Sequence, residues 1–304
     1  MKPLIHVLGA TGVGKSRAAC AIAKKFNAEI ISADSVQVYQ GFDIGTAKID
    51  LQGRREIPHH LIDIISDCSQ FNASKFLELS FAAAEQISAR GKIPLVCGGT
   101  ALYLRVMLQG IFAENKNAAT RVQLEEKAVL HGWPALWCEL QAIDPVYARK
   151  ISPNDRVRLL RALEIHQHCG LSPSEAFKHS RSPFAAYNFI RVGLETDRKK
   201  LYQQINRRAE LMLEKGLLAE VKELLKRYPP SCPPFKALGY KEIAAHLRGE
   251  IDLPAALELI QRHSRQFAKR QLSWFRQEKD IHWFAPENIE DMTRFISQCL
   301  AKKP

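Results

Sequence analysis

Eight residues near the N-terminus limit what this chain can fold into more than any others. Gly9-Ala10-Thr11-Gly12-Val13-Gly14-Lys15-Ser16 fits the pattern G-x-x-x-x-G-K-[ST] in full. The apolar run Leu4–Leu8 precedes it, and Lys15–Phe26 follows with Ala18, Ala19, Ile22 and Phe26 at helical spacing. Strand, glycine turn and helix form the context in which this pattern marks a phosphate-binding loop. The glycines let backbone N–H groups curl toward phosphate oxygens. The helix N-terminus adds a favourable dipole. Lys15 brings a mobile cation, and Ser16 brings a hydroxyl able to hold Mg²⁺. The expectation is a di- or triphosphate gripped by Gly9–Ser16, whichever molecule carries it.

The segments that follow keep the same alternation. Glu29–Ser32, Leu61–Ile65 and Ile93–Cys97 read as strands, and Ala73–Arg90 and Thr100–Gln109 as helices. From Asn115 helical patterns take over, with Arg121–His131, Pro134–Ala142 and Asp155–Cys169 as candidates. Strand character returns at Asn188–Leu194. Arg198–Lys215, Leu217–Arg227 and Leu253–Gln277 then read as long helices. The expected class is α/β: a parallel-sheet core of the P-loop NTPase kind, with an inserted all-helical subdomain and a helical C-terminal part. The expected boundaries are 1–114 plus 188–304 for the core and 115–187 for the insertion.

Charge enters where partners are concerned. Lys and Arg number 44 against 32 Asp and Glu, a formal net charge of +12. That excess favours a polyanionic partner or an anionic substrate. No apolar run approaches the ~20 residues of a membrane span. The 7 cysteines are scattered and never form C-x-x-C, which reads as free thiols in a reducing cytoplasm. His166, His168 and Cys169 lie close together but lack a matching set of zinc ligands.

Two further positions fall at strand ends, where open α/β sheets hold their ligands. Asp34-Ser35 follows the second strand. A carboxylate beside bound phosphate is suited to accepting a proton or holding an acceptor substrate; a helix cap is the plainer reading. Thr100 follows Gly98-Gly99, with the same two readings. The strand before it lacks the terminal acidic residue that completes an NTPase Mg²⁺ site, and Asp63 is the nearest substitute. Near the C-terminus, Leu259–Gln277 holds no acidic residue. Arg262, Arg265, Lys269 and Arg276 share one helical face, and Ile260, Phe267 and Trp274 the other. An unmixed basic stripe suits a phosphate backbone, with an anionic membrane surface as the competitor. A P-loop kinase using ATP on a small metabolite or nucleotide explains Gly9–Ser16 and Asp34 but not this stripe. A non-enzymatic RNA-binding protein explains the stripe but not the loop.

Taken together, the motifs resemble the bacterial tRNA dimethylallyltransferase (isopentenyltransferase, IPP transferase) family over nearly the whole chain. The resemblance rests on Gly9–Ser16, Ser32–Tyr39, Asp43–Lys48, Pro58–Asp63 and Gly98–Tyr103. It continues through Asn154-Asp155 with Arg158 and Arg161–Glu164, then Leu238–Glu242 and Arg265–Gln271. It implies transfer of a dimethylallyl group from dimethylallyl diphosphate to N6 of the adenosine 3′-adjacent to the anticodon, with diphosphate released. By this resemblance the loop holds a prenyl diphosphate, and Asp34 is the general base. Thr100 lies beside the reacting centre. Lys15, Arg208 and Ser16 with Mg²⁺ stabilise the departing diphosphate. The tRNA-contacting stretches it implies are Asp34, Ser35, Val36 and Gln37; Thr100; Arg121; and Val157, Arg158, Leu159, Leu160 and Arg161. They continue with Lys236, Ala237, Leu238, Gly239, Tyr240 and Lys241, and end with Arg265–Leu272, including Arg265, Lys269 and Arg270. The helical insert meets the anticodon arm. A cytoplasmic monomer without membrane contact is the implied setting. Ile49 stands where the family often has proline, Ser264 where threonine is frequent, and Ala113–Ala119 lacks the usual Pro- and Asp-rich pattern.

Overall fold

A computed structural model describes residues 1–112 and 118–302. Segment 113–117, with the boundary expected at 114/115 and most of the Ala113–Ala119 departure, lies outside the described residues. In chain order the elements are β1 (Lys2–Gly9), α1 (Lys15–Phe26), β2 (Ala28–Ala33), α2 (Leu51–Glu56), β3 (His59–His60), α3 (Ala73–Ala89), β4 (Ile93–Gly98) and α4 (Ala101–Gln109). Then come α5 (Ala118–His131), α6 (Trp133–Ile143), α7 (Pro145–Ala148), α8 (Arg156–Cys169) and α9 (Pro173–Lys178). After β5 (Tyr187–Leu194) follow α10 (Arg198–Glu214), α11 (Leu217–Arg227), α12 (Tyr240–Leu247), α13 (Leu253–Phe275), β6 (His282–Phe284) and α14 (Ile289–Ala301).

The six strands form one parallel sheet in the order β3-β2-β4-β1-β5-β6. β1 and β2 are buried along most or all of their length, as strands covered on both faces should be. β1 pairs with β5 over eight residues, Lys2↔Tyr187 to Gly9↔Leu194. The register also sets Leu8 and Ala33 both opposite Gly98. The C-terminal ends of β1, β4 and β2 therefore finish at one level, side by side. A Cβ on Gly98 would stand 2.3 Å from the Ala33 carbonyl oxygen, so only glycine admits that approach.

The chain forms two compact units, Met1–Arg105 with Phe184–Pro304, and Val106–Pro183. In the first, Ala18, Ala19 and Ile22 of α1 pack on Ile5, Val7, Ile30 and Leu95 of the sheet. A second core in that unit gathers Val38, Phe42, Leu217, Val221, Tyr240, Ile243 and Ile260. The helical unit has its own core of Leu124, Leu136, Leu140, Leu159, Leu160 and Leu163. Local chemistry sets the helix starts: Asn72 accepts from the Ser74 and Lys75 amides, Asp197 from those of Lys199 and Lys200, and Asp155 from that of Arg158. Each removes an orphan donor of the first turn.

Three expectations need correction. Leu61–Ile65 is not a strand. β3 stops at His60, and Leu61 and Asp63 take left-handed φ values of 63° and 56°. The Asp63 carboxylate is drawn to Lys48 and Arg54, each at 2.6 Å, which turns the backbone out of extension and leaves this carboxylate engaged as an ion-pair partner. The cysteines are not all free. Cys68 and Cys232 form a disulfide with Cα atoms 5.0 Å apart across a sequence separation of 164. The loop after β3 meets the Pro229–Pro234 segment, which holds four prolines, beside the second core, a closeness invisible in the spacing. Finally, the buried face of α13 is Ala256, Ile260, Ala268, Gln271 and Phe275. Trp274 stays half-buried beneath the Arg105 guanidinium, 4.4 Å from its ring centroid.

Candidate active site

The three adjacent strand ends carry the phosphate loop after β1, Asp34 after β2 and Gly99-Thr100 after β4. They open on one cavity of about 490 Å³. Ala10 and Val13 turn into the core, while Thr11, Lys15 and Ser16 face the cavity. Gly14 caps α1 with φ 98°, a left-handed value that favours glycine. Lys15 Nζ donates to the Ala10 carbonyl at 2.8 Å. Burial pulls the Lys15 ammonium down to about 8, against the attraction of Cys97 and Asp34, and nearby Arg208 lowers it further. The same burial pushes the Cys97 thiol up to about 12.

Asp34 caps no helix, since α2 begins only at Leu51, but holds a turn instead. Its Oδ1 accepts from the backbone N–H of Val36 at 2.8 Å and of Gln37 at 3.2 Å. The carboxylate thereby shapes the 34–37 turn and lines the cavity. Thr100 lines the cavity as well, and its carbonyl accepts from Tyr103 and Leu104 as α4 begins. Arg208 of α10 donates to Thr11 Oγ1 at 3.0 Å and to the Thr46 carbonyl at 3.3 Å. Its buried Nε has no protein partner, and burial lowers its pKa, with Asp34 opposing. A buried guanidinium with a free donor is suited to an anion.

Further along β2 the cavity becomes apolar, lined by Ala19, Ile30, Ala47, Ile49 and Ile62. His59 joins them. Its Nδ1 donates to the Ile57 carbonyl at 2.7 Å, and burial lowers its pKa. Ile49, a departure from the family pattern, is thus part of the apolar wall.

Sequence reasoning missed how the wall is held. Glu220 accepts from the backbone N–H groups of Asp43, Ile44 and Gly45 and, at 2.7 Å, from the Tyr240 hydroxyl. This fixes the 43–46 loop, whose Thr46 carbonyl also receives Gln37 Nε2 at 3.2 Å. Nothing in the sequence sets Gln271 apart within Arg265–Leu272, yet both ends of its amide are bonded inside the site.

The other expected residues divide. Ser35, Val36, Gln37, Lys236, Ala237, Leu238, Gly239, Lys241 and Arg270 line the same cavity. Tyr240 is buried beneath the loop. Arg265 donates to Asn206 Oδ1 at 2.6 Å, and Lys269 is exposed. Within the helical unit, Arg121 is paired to Glu125 and Glu164 at 2.8 and 2.9 Å. Leu159 and Leu160 are core residues, while Val157 is 70 % exposed between arginines. Arg158 lies 3.3 Å from Asp155, and Arg161 lies 3.5 Å from Glu164.

Among the described residues no group of three or more His, Cys, Asp or Glu could hold a metal ion. Ser16 is the protein oxygen placed beside the phosphate loop. That donor set fits Mg²⁺ held chiefly by phosphate oxygens and water. No helix among the described residues is long and apolar enough to cross a membrane.

Fold and site together define a phosphate-loop α/β protein with a carboxylate poised beside the loop. The chain belongs to the IPP transferase family, whose sequence model matches residues 37–278. That match begins after Asp34, so the loop and the carboxylate stand on their own pattern and geometry. Among its relatives, a tRNA dimethylallyltransferase of Carboxydothermus hydrogenoformans is 43 % identical over 96 % of each chain. Another from Bacillus velezensis is 40 % identical over 99 % of this chain and 98 % of its own. The crystal structure of a tRNA isopentenylpyrophosphate transferase from Bacillus halodurans is similar with a TM-score of 0.74 and 36 % identity, covering 99 % of this chain and 98 % of that one. A eukaryotic dimethylallyltransferase acting on tRNA gives a TM-score of 0.83 at 30 % identity, covering 99 % of this chain and 78 % of that one.

Proposed function

We propose that this enzyme transfers a dimethylallyl group from dimethylallyl diphosphate to N6 of the adenosine 3′-adjacent to the anticodon of tRNA, releasing diphosphate. The observation that carries the reading is one cavity joining the phosphate loop, the Asp34 carboxylate and an apolar wing of Ile30, Ile49 and Ile62. A diphosphate, a nucleophile whose proton must leave and a short hydrocarbon each find matching chemistry there.

In this reading the loop amides, Lys15 and Arg208 bind the diphosphate and stabilise the charge that grows on it as the allylic C–O bond breaks. Asp34 orients the exocyclic amine and takes its proton as the C–N bond forms. Thr100 flanks the reacting centre. Ser16 would hold Mg²⁺, which when bound neutralises part of the diphosphate charge. The target base leaves its stack to reach the cavity, as for other enzymes that act on a base. Lys269 and Arg270 on α13, with Lys236 and Lys241, supply cations for the RNA backbone. Arg158 and Arg161 offer a separate set on the helical unit, with exposed Val157 beside them. One chain carries every group named, which suits a monomer.

The test is transfer of labelled dimethylallyl from its diphosphate to bulk tRNA, with Mg²⁺. Label in tRNA is the expected result. Its absence with folded protein, or consumption of ATP with a small acceptor instead, would overturn the reading.

A further inference from the structure

Gln271 lies on α13, a helix whose exposed face is cationic, yet its side chain turns inward and is only 5 % exposed. A buried primary amide has donors and an acceptor to satisfy. Here Oε1 accepts from the Thr11 backbone N–H at 2.8 Å. Nε2 donates to the Gly99 carbonyl at 2.8 Å. These partners lie 260 and 172 residues away in sequence. They belong to the two loops that enclose the reaction centre: the phosphate loop after β1 and the turn that presents Thr100 after β4. A Cβ on Gly99 would stand 2.3 Å from Nε2, so the glycine at 99 makes room for the amide.

The bridge also bears on Arg208. Thr11 receives Gln271 at its amide and Arg208 at its hydroxyl, 3.0 Å from Nη1. α13 and α10 thus hold the same loop residue through different atoms. A shift of Thr11 would disturb a side-chain oxygen that anchors the Arg208 guanidinium.

We infer that Gln271 is a positioning residue. Its amide fixes the separation between the diphosphate-binding loop and the Gly99-Thr100 turn, so that the departing diphosphate and the attacking amine stay aligned. The inference rests on the transferase reading above. It differs from direct substrate recognition because both ends of the amide are held by protein backbone. Misalignment by even about 1 Å lowers turnover more than it lowers binding.

Two variants test it in the labelled transfer assay. Gln271→Met matches the length and removes both hydrogen bonds. The expected result is a kcat lowered roughly ten-fold or more, with KM for the prenyl diphosphate and for tRNA each within about three-fold of wild type. A kcat within about two-fold of wild type, or a loss confined to KM, overturns the inference. Gln271→Glu keeps an acceptor for Thr11. As a carboxylate it cannot donate to Gly99, whereas as a neutral acid it can. At saturating donor its kcat relative to wild type should therefore rise as pH falls far enough to protonate the carboxyl, whose pKa burial raises and the facing Lys15, Arg208 and Arg270 lower. A flat ratio overturns the inference, and this arm decides alone if the Met variant does not fold. Wild type that transfers no label would sink the transferase reading itself; wild-type-like variants would sink only the role of Gln271.

Discussion

Asp34 shapes its own turn and is the proposed base, and one substitution separates these roles. Asn in its place keeps an oxygen able to accept from Val36 and Gln37 but cannot take a proton. Asp34→Asn should lower transfer roughly 10²- to 10⁴-fold, while the thermal midpoint and tRNA affinity hold. An Asn variant that remains fully active would remove the base assignment. Lys15 provides a second handle. Burial brings it down to about 8, so the free enzyme carries the cation below that pH and loses it above. Affinity for the prenyl diphosphate, read as kcat/KM for the donor, should fall as pH rises past about 8. In Lys15→Arg the guanidinium stays charged, and that alkaline limb should disappear.

At the scale of elements, α13 divides its labour by face. Ala256, Ile260, Ala268 and Phe275 seal the core, and Lys269 and Arg270 stand exposed. Lys269→Ala should weaken tRNA binding evenly across sequences and lower the slope of log K against log salt by about 1. Arg265 is tied to Asn206, so its removal should disturb packing against α10 as well as binding. Unchanged salt slopes for Lys269→Ala, measured by filter binding at several ionic strengths, would argue against α13 as an RNA face. The same helix shows what the sequence made legible. Local pattern revealed the phosphate loop, the strand-end placement of Asp34 and Thr100, and the cationic stripe, because each is written within a few adjacent residues. The bond partners of Gln271, the grip of Glu220 on the 43–46 loop and the Cys68–Cys232 bridge join residues more than 160 positions apart. No local periodicity encodes such meetings. Leu61–Ile65 misled for the opposite reason: it looks like a strand, but ion pairs to Asp63 bend it.

For the molecule as a whole, the Cys68–Cys232 bridge closes a loop of 164 residues. Cross-links over long loops restrict the unfolded chain most, and a bridge of this kind typically contributes about 2–4 kcal/mol. Reduction, or Cys232→Ala, should lower the thermal midpoint by several degrees, roughly 1.5–2 °C per kcal/mol for a chain of this size. Scanning calorimetry with and without a reductant reads the difference, and identical midpoints would show that the bridge does not stabilise the solution structure. Cys20, Cys97, Cys138, Cys169 and Cys299 remain thiols, so a change on reduction can be assigned to this pair.

The pairing of β1 with β5 has a consequence for synthesis. β3, β2, β4 and β1 have all been synthesised once residue 98 is added, yet the second neighbour of β1 spans Tyr187–Leu194. Until then β1 is a bare sheet edge, able to pair with whatever strand is near. The nascent chain must hold that edge open while Val106–Pro183 emerges, a stretch whose described residues add no strand to the sheet. An insertion whose described residues contribute no strand to the sheet keeps it from closing on the wrong partner before the right one arrives.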